Sequence, residues 1–328
     1  MVLRSQASST ESAVDLPRIM QHRFADFDAM TESIPDFDSQ YVRLATGTVD
    51  TQFTRVALDR VLVLRCDERV PKYVFRATAP PAPSLAFPLD LNPHAVWGGT
   101  PIDDTTLVHY GPGAEVVGRS SGAMSWASII FDQEVLDRHA ARLGMEIAPR
   151  TSSAQLLAPD PAAMAALRRA ARGLFAIADS AHAVLEMPEV RRFQEEKLLT
   201  ALVHAAGAAC EGREAVAMSH RRVVLRALEV LEKRCDEAVY LAELCGAAGV
   251  SERTLRTAFQ RIHGVSPIRY LHMHRMGQAH RALRDADRSR ERVADIATRF
   301  GFANLGRFAV EFRQLFGVSP SQVLRSAR

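Results

Sequence analysis

Arg253 and Arg256 stand one helical turn apart, preceded by Ser251 and followed by Thr257, Gln260 and Arg261. A guanidinium fork matches phosphate oxygens and the paired acceptors on a guanine edge, and a hydroxyl or amide beside it can read a neighbouring base or the backbone. At helical spacing these side chains share one side, leaving Leu255, Ala258, Phe259 and Ile262 for the other. Asn304 lies 53 positions after Ser251, with Arg307 one turn further on. The chemistry implied is recognition of a duplex groove.

These positions belong to a unit that occurs twice. Leu244 to Val250 is echoed by Ile296 to Phe302 at an offset of 52, and Leu255, Phe259 and Gly264-Val265-Ser266-Pro267 are echoed by Phe308, Phe312 and Gly317-Val318-Ser319-Pro320 at an offset of 53. Each unit reads as a short helix, a glycine turn, a second helix and a glycine stop. A helix-turn-helix requires inward apolar residues on the first helix, a turn residue that tolerates positive φ, a cap, and a second helix with one polar face. The first unit supplies Leu241, Leu244 and Cys245, then Gly249, Val250 as plug and Ser251 as N-cap. The second supplies Ala294, Ile296 and Ala297, Gly301, Phe302 and Asn304. Its outer positions Leu305, Gly306, Ala309 and Val310 are apolar or small, so it should make fewer base hydrogen bonds and lean on thymine methyls and backbone anchoring. A connecting helix is expected over about 267–285, a lead helix over 221–234 and a last short helix from Pro320.

The charge follows the same division. The chain of 328 residues carries a net charge of +3, yet residues 219–328 hold 20 Lys and Arg against 11 Asp and Glu. The remaining residues hold 21 against 27, so a basic segment follows an acidic one. Of the 20 cations only Lys233 is lysine; codon preference is the bland explanation for that bias, but not for the asymmetry. A hydrophobic fraction of 47% is globular, and no apolar run approaches the ~20 residues of a bilayer span. The start of the chain shows no export signal. Cys66, Cys210, Cys235 and Cys245 form no C-x-x-C pair and are expected to be reduced packing thiols in a cytoplasmic, nucleoid-associated protein, with a redox role for Cys66 as the sharper alternative.

Residues 1–20 are expected to be a flexible tail. Residues 21–150 read mostly as short strands separated by Gly and Pro turns, as in a small barrel or sandwich; from Gln133 a helix closes at Gly144, followed by a loop over 149–159. Residues 151–218 read as a helical connector. Pro161 and Pro188 start its helices, an apolar stripe over 190–206 could be a dimer seam or core, and 207–218 is a linker. Trp97, Tyr110 and Trp126 are either barrel core or the wall of a pocket for a small organic effector. Arg65, Arg76 and Arg119 could pair an anionic ligand, surface charge being the bland reading. His94, His109 and His139 lack the H-x-H and Glu pattern of a metal-binding barrel, and His272 and His274 lie on different sides of a helix, so a polar face or phosphate contact is expected of them. No catalytic residue, metal or cofactor is assigned. The rival to a regulator is a small-molecule enzyme of cupin type with an appended DNA-binding module.

Leu241-Ala242-Glu243-Leu244, Gly249-Val250-Ser251, Arg253-Thr254-Leu255, Phe259, Gly264-Val265-Ser266-Pro267, Asp295-Ile296-Ala297, Phe300-Gly301-Phe302, Phe308, Phe312 and Phe316-Gly317-Val318-Ser319-Pro320 make residues 219–328 resemble the DNA-binding domain of the AraC/XylS family of transcriptional regulators. The overall layout, with Leu305 to Ala309, is most similar to the branch containing the ethanolamine-utilisation activator, although the pocket residues do not match one by one and no effector is carried over. The resemblance implies an α+β multidomain chain. It would have a β-rich cupin-like sensor at 21–150, a connector at 151–218 and, at 219–328, an all-α domain with two helix-turn-helix units joined by a long helix. It further implies double-stranded DNA as partner, base reading by Arg253, Arg256 and Thr257, a small-molecule effector, contact with RNA polymerase, a possible homodimer and activation of transcription.

Overall fold

The computed structural model of the chain describes residues 17–326, except 26–28, 31–37, 44–48, 70–72, 79–81, 91–94, 113, 121, 148–153, 208–209, 212–214, 235–236 and 288. Most of the expected tail, His94 and Cys235 lie outside the described residues, as does the side chain of Arg76.

The first half builds two antiparallel sheets. Strands β1 (Ile19–Phe24), β3 (Thr51–Ala57), β4 (Val61–Glu68), β11 (Met124–Phe131), β6 (Ser84–Asp90), β9 (Leu107–Tyr110), β12 (Gln155–Ala158) and β13 (Cys210–Glu211) pair in that order. Strands β2 (Asp38–Arg43), β5 (Tyr73–Thr78), β10 (Glu115–Ser120), β7 (Val96–Trp97) and β8 (Thr100–Pro101) form the second sheet. Three expectations change here. β1 begins inside the expected tail, β12 lies within the expected loop, and β13 lies within the expected linker and closes the sheet against β12. Short apolar runs such as Leu156-Leu157 become strands once a free edge is available to complete their hydrogen bonds.

Both faces of the larger sheet are apolar. Val56, Val63, Leu85, Phe87, Ala127 and Ile129 share a core with helices α1 (Gln133–Arg142), α2 (Pro161–Ser180) and α3 (Pro188–Gly207). On the other face Phe53, Leu64, Cys66 and Ile130 form one cluster, and Ala86, Val108, Tyr110 and Met124 form another with Trp97 of the second sheet. The helices begin where the sequence supplies caps: Asp132 accepts from the Glu134 amide, and Asp160 accepts from Ala162 and Ala163 ahead of Pro161. Charges hold α3 to the β3–β4 turn. The buried Glu195 carboxylate accepts from the Arg60 amide and Nε at 2.6 and 2.5 Å, and Arg191 donates to Asp59 at 2.9 Å.

The second half is helical: α4 (Ala215–Lys233), α5 (Leu241–Ala248), α6 (Glu252–His263), α7 (Pro267–Asp285), α8 (Val293–Arg299), α9 (Leu305–Phe316) and α10 (Pro320–Ser326). The lead helix thus starts earlier than expected and takes in residues 215–218 of the expected linker. Two small cores flank α7. Tyr270 and Leu271 join α4–α6 through Leu228, Leu244, Leu255, Phe259 and Ile262. Met276, Ala279 and Leu283 join α8–α10 through Ile296, Phe300, Phe308, Phe312 and Leu315. Met273 packs against both.

The first helical core does not end at the helices, because Val42 and Val117, on the outer face of the five-stranded sheet, belong to it. Ile262 lies so close over the β7–β8 turn that a Cβ on Gly99 would come within 2.6 Å of it. Arg119 of β10 crosses Gly264, the left-handed C-cap of α6 with φ +68, where a Cβ would meet its Nε at 2.8 Å. Arg119 is therefore half-buried at a contact between domains rather than a free surface charge. Arg65 is likewise occupied, by Asp179 at 2.8 and 2.9 Å and by Thr54.

Beside Arg119 the His263 ring is buried and stacks on Tyr270 at 4.9 Å, with His274 stacking on the far side of Tyr270. His274 is thus a core residue, not a phosphate contact; His272 faces out and pairs with Glu311 at 3.1 Å. Burial, assisted by Arg119, pulls His263 down to about 3; burial, with Arg281 and Arg275, pulls His274 down to about 4. Both are neutral in the fold and ordinary in the unfolded chain, so their contribution is complete above pH ~6.5 and is lost as pH falls toward 3–4. Between pH 7 and 5 each should cost about 2 kcal/mol. Thermal melts should show a falling midpoint over that window, reduced in H263Q; a flat profile refutes the assignment. Arg60→Ala leaves Glu195 buried without its guanidinium and should lower unfolding free energy by about 2–3 kcal/mol in denaturant titrations.

Candidate nucleic-acid interface

The helix pair α5–α6 is assembled from short-range rules. Glu243 reaches back to accept from the Tyr240 amide at 2.8 Å and also takes Arg234 from the end of α4. Both interactions hold its carboxyl below the usual range, the Tyr240 amide most strongly. Gly249 turns the chain with φ +65, the half-buried Val250 packs into the angle, and Ser251 caps α6 by accepting from the Thr254 amide. Leu255, Ala258, Phe259 and Ile262 point inward and are almost fully buried.

The opposite face of α6 is exposed from Glu252 to Thr254 and at Arg256, Thr257, Gln260 and Arg261. Arg256 is held by Glu252 at 2.7 Å, Thr257 donates to the Arg253 carbonyl, and Gln260 donates to the Gly264 carbonyl. Arg253 extends into solvent. The structure therefore brings Ser251, Arg253, Arg256, Thr257, Gln260 and Arg261 onto one helix, with the base-reading candidates on its outer side and Ser251 committed to the cap.

The pair α8–α9 repeats the scheme with different chemistry. Gly301 has φ +80, and a Cβ there would stand 3.0 Å from that of Ala238. Asn304 uses its Oδ1 to cap α9, accepting from the Arg307 amide at 2.9 Å. Arg307 is exposed and paired with Glu311 at 2.8 Å, and Glu311 also receives His272 of α7. Leu305 and Val310 stand out on the same helix at 42% and 58% exposure, so its outer surface mixes apolar side chains with Arg307, Arg313 and Gln314. The long helix between the pairs has 19 residues, about 28 Å end to end at ~1.5 Å per residue, and the two pairs pack along its successive halves.

The three aromatics proposed from sequence also come together. Trp97 and Tyr110 are buried in one cluster between the sheets, and Trp126 packs at its edge. Burial pushes the Tyr110 phenol up, with Arg221 of α4 pulling the other way. Sequence reasoning missed Glu68, whose Oε1 accepts from Trp126 Nε1 at 3.4 Å. Its place at the end of an alternating strand, where it shares the inward phase of Leu64 and Cys66, was the available signal. The Cys66 thiol is buried and driven up, chiefly by burial, which removes the thiolate that redox chemistry needs. His139 lies behind the larger sheet against Thr200, remote from these aromatics. Among the described residues no three His, Cys, Asp or Glu gather as a metal site, and no helix is long and apolar enough to cross a membrane.

Residues 244–326 match the helix-turn-helix domain family. The chain is 35% identical over 191 residues to the probable thc operon regulatory protein of Rhodococcus erythropolis, covering 58% of each chain. It is 29% identical over 103 residues to the XylDLEGF operon transcriptional activator of Pseudomonas putida, covering 31% of this chain and 32% of that one. The chain thus spans between a third and somewhat over half of these relatives' lengths. Among solved structures, a probable AraC family transcriptional regulator from Rhodopseudomonas palustris is 33% identical, with 32% of this chain covering 98% of that one at a TM-score of 0.29. Helix pairs with these caps, turns and exposed arginines thus lie in the part of the chain that matches the helix-turn-helix domain family.

Proposed function

We propose that the whole chain is a ligand-responsive, sequence-specific transcriptional regulator that activates its target genes. The observation that carries this reading is the exposed polar face of α6, with Arg253 unencumbered and Arg256 one turn away, on a capped helix backed by a buried core. Both helix pairs enter adjacent major-groove segments of one operator. α6 reads bases through Arg253, Arg256 and Thr257, with Gln260 and Arg261 toward the backbone. α9 presents Leu305 and Val310 to thymine methyls, with Arg307 as its long donor. A regulator of this class meets RNA polymerase at the promoter and works in the cytoplasm, on the nucleoid.

The β domain serves as sensor, with a small effector between the sheets against Trp97, Tyr110 and Trp126. One face of the five-stranded sheet lines that space and the other packs on α4 and α6, so a ligand that prefers one packing of this sheet changes how the first reader is held. A homodimer is consistent with the exposed face of the connector, where a groove of about 770 Å³ lies between α2 and α3 beside Phe193, which is 65% exposed.

DNA binding should be strongly salt-dependent, because arginine–phosphate contacts release counterions. Arg253→Ala and Arg256→Ala should each cost roughly 1–3 kcal/mol and relax preference at one base pair, measured by selection on a randomised duplex library followed by titration. Parental affinity and sequence preference in both variants would refute the assignment of α6 as reader.

A further inference from the structure

Glu68 is 2% exposed, on the face of β4 that carries Leu64 and Cys66, turned away from the helices and toward Trp126, which borders the space between the sheets. Its cross-strand neighbours are Thr51 of β3 and Met124 of β11. Around it stand Cys66, Phe24, Phe53, Met30 and Trp126. Only one carboxyl oxygen is engaged, and weakly: Oε1 accepts from Trp126 Nε1 at 3.4 Å and from Cys66 Sγ at 3.7 Å. Oε2 has no hydrogen-bond partner among the described residues, nor has the fully buried hydroxyl of Thr51 across the strand pair. No described arginine or lysine pairs with Glu68. Among the described residues the charge acting on it is the like charge of Asp67, itself engaged by Arg65 and Ser125 on the opposite face.

A carboxyl in apolar surroundings without a counter-charge is costly to fold around and holds its proton. Burial accordingly pushes Glu68 up to about 8. A chain that keeps such a group facing an aromatic wall has room in its electrostatics for one kind of guest. An anion would meet a carboxyl with no cation to offset it. A neutral molecule would leave the carboxyl protonated and gain no ion pair from it. A cation supplies the missing charge and also gains the face of Trp126.

We propose that the space between the two sheets binds a small organic cation, an ammonium or amidinium on a compact apolar body, with the Glu68 carboxylate as counter-charge, Thr51 as second acceptor and Trp126 as wall. This rests on the reading of the β domain as sensor and names the chemistry of its ligand.

The chain's two tryptophans, Trp97 and Trp126, both border this space, so intrinsic fluorescence reports on it directly. The full chain is titrated with benzylamine, benzyl alcohol and benzoate at pH 7. Benzylamine should change the emission saturably, and the alcohol and benzoate should bind at least tenfold more weakly. Glu68→Gln should lose at least tenfold for the amine, nothing for the alcohol, and melt no lower than the parent. Trp126→Phe, followed by thermal shift, should weaken the amine several-fold and so tests the site independently. Benzoate binding as tightly as the amine, or unchanged amine affinity in Glu68→Gln, overturns the cation assignment while leaving a sensor of other specificity. No response to any of the three overturns it as well. Salt-dependent operator binding, measured on the same preparation, then shows whether the regulator reading still stands.

Discussion

Described side chains of the five-stranded sheet pack on both of its faces, and much of the architecture depends on that. Trp97 on β7 packs inward with Tyr110 and Ala86, while Val42 and Val117 pack outward among the helices of the first reader. An antiparallel sheet usually keeps one solvated face. Here the second face is covered by α4, α6 and the start of α7, so the sensor and the first helix pair share a core. The close approaches at Gly99 and Gly264 follow from it: only a backbone without a Cβ lets Ile262 and Arg119 come that near, and at both positions φ is positive as well.

The same contact explains why the two helix pairs differ in their surroundings. The first has its core extended by a sheet. The second relies on α7 and on a run of rings in tilted contact, Phe302, Phe308, Phe312 and Phe316, with His280 stacked on Phe316 at 4.4 Å. A unit of two short helices is too small to bury a sufficient core alone. Sharing α7 solves this for both, and its length then sets their spacing. The first pair also depends on a neighbour, since β7 and β10 meet it at Ile262 and Gly264, about two turns beyond Arg256.

Local rules were legible in the residues. The bounds of α7 follow from Ser266-Pro267 at one end, and the stops of α6 and α9 from glycines with positive φ. The inward set of α6 follows from its period. The candidate reader residues lie on exposed helix faces because capping and periodicity decide both. What was misplaced depends on partners far away in sequence. β12 and β13 became strands because each offered the other an edge. His274 went into the core because Tyr270 and Arg281 surround it, a matter of which side of α7 faces the first pair. Arg119 looked like a surface charge because nothing near it in sequence announces Gly264, 145 positions on.

The sequence alone therefore determined the repeated helix pairs, their caps and turns, the division of charge and the exposed polar face of α6, since these arise from interactions within a few residues or from simple sums. Tertiary structure alone decided that Val42 and Val117 of the five-stranded sheet would pack among the helices, that Glu68 would be buried beside Trp126 with no cation pairing it among the described residues, and that Arg119 would cross the end of α6 at Gly264. Those outcomes depend on which apolar faces meet. Any of several amphipathic elements in this chain could have covered Val117, and only packing them all at once selects α6.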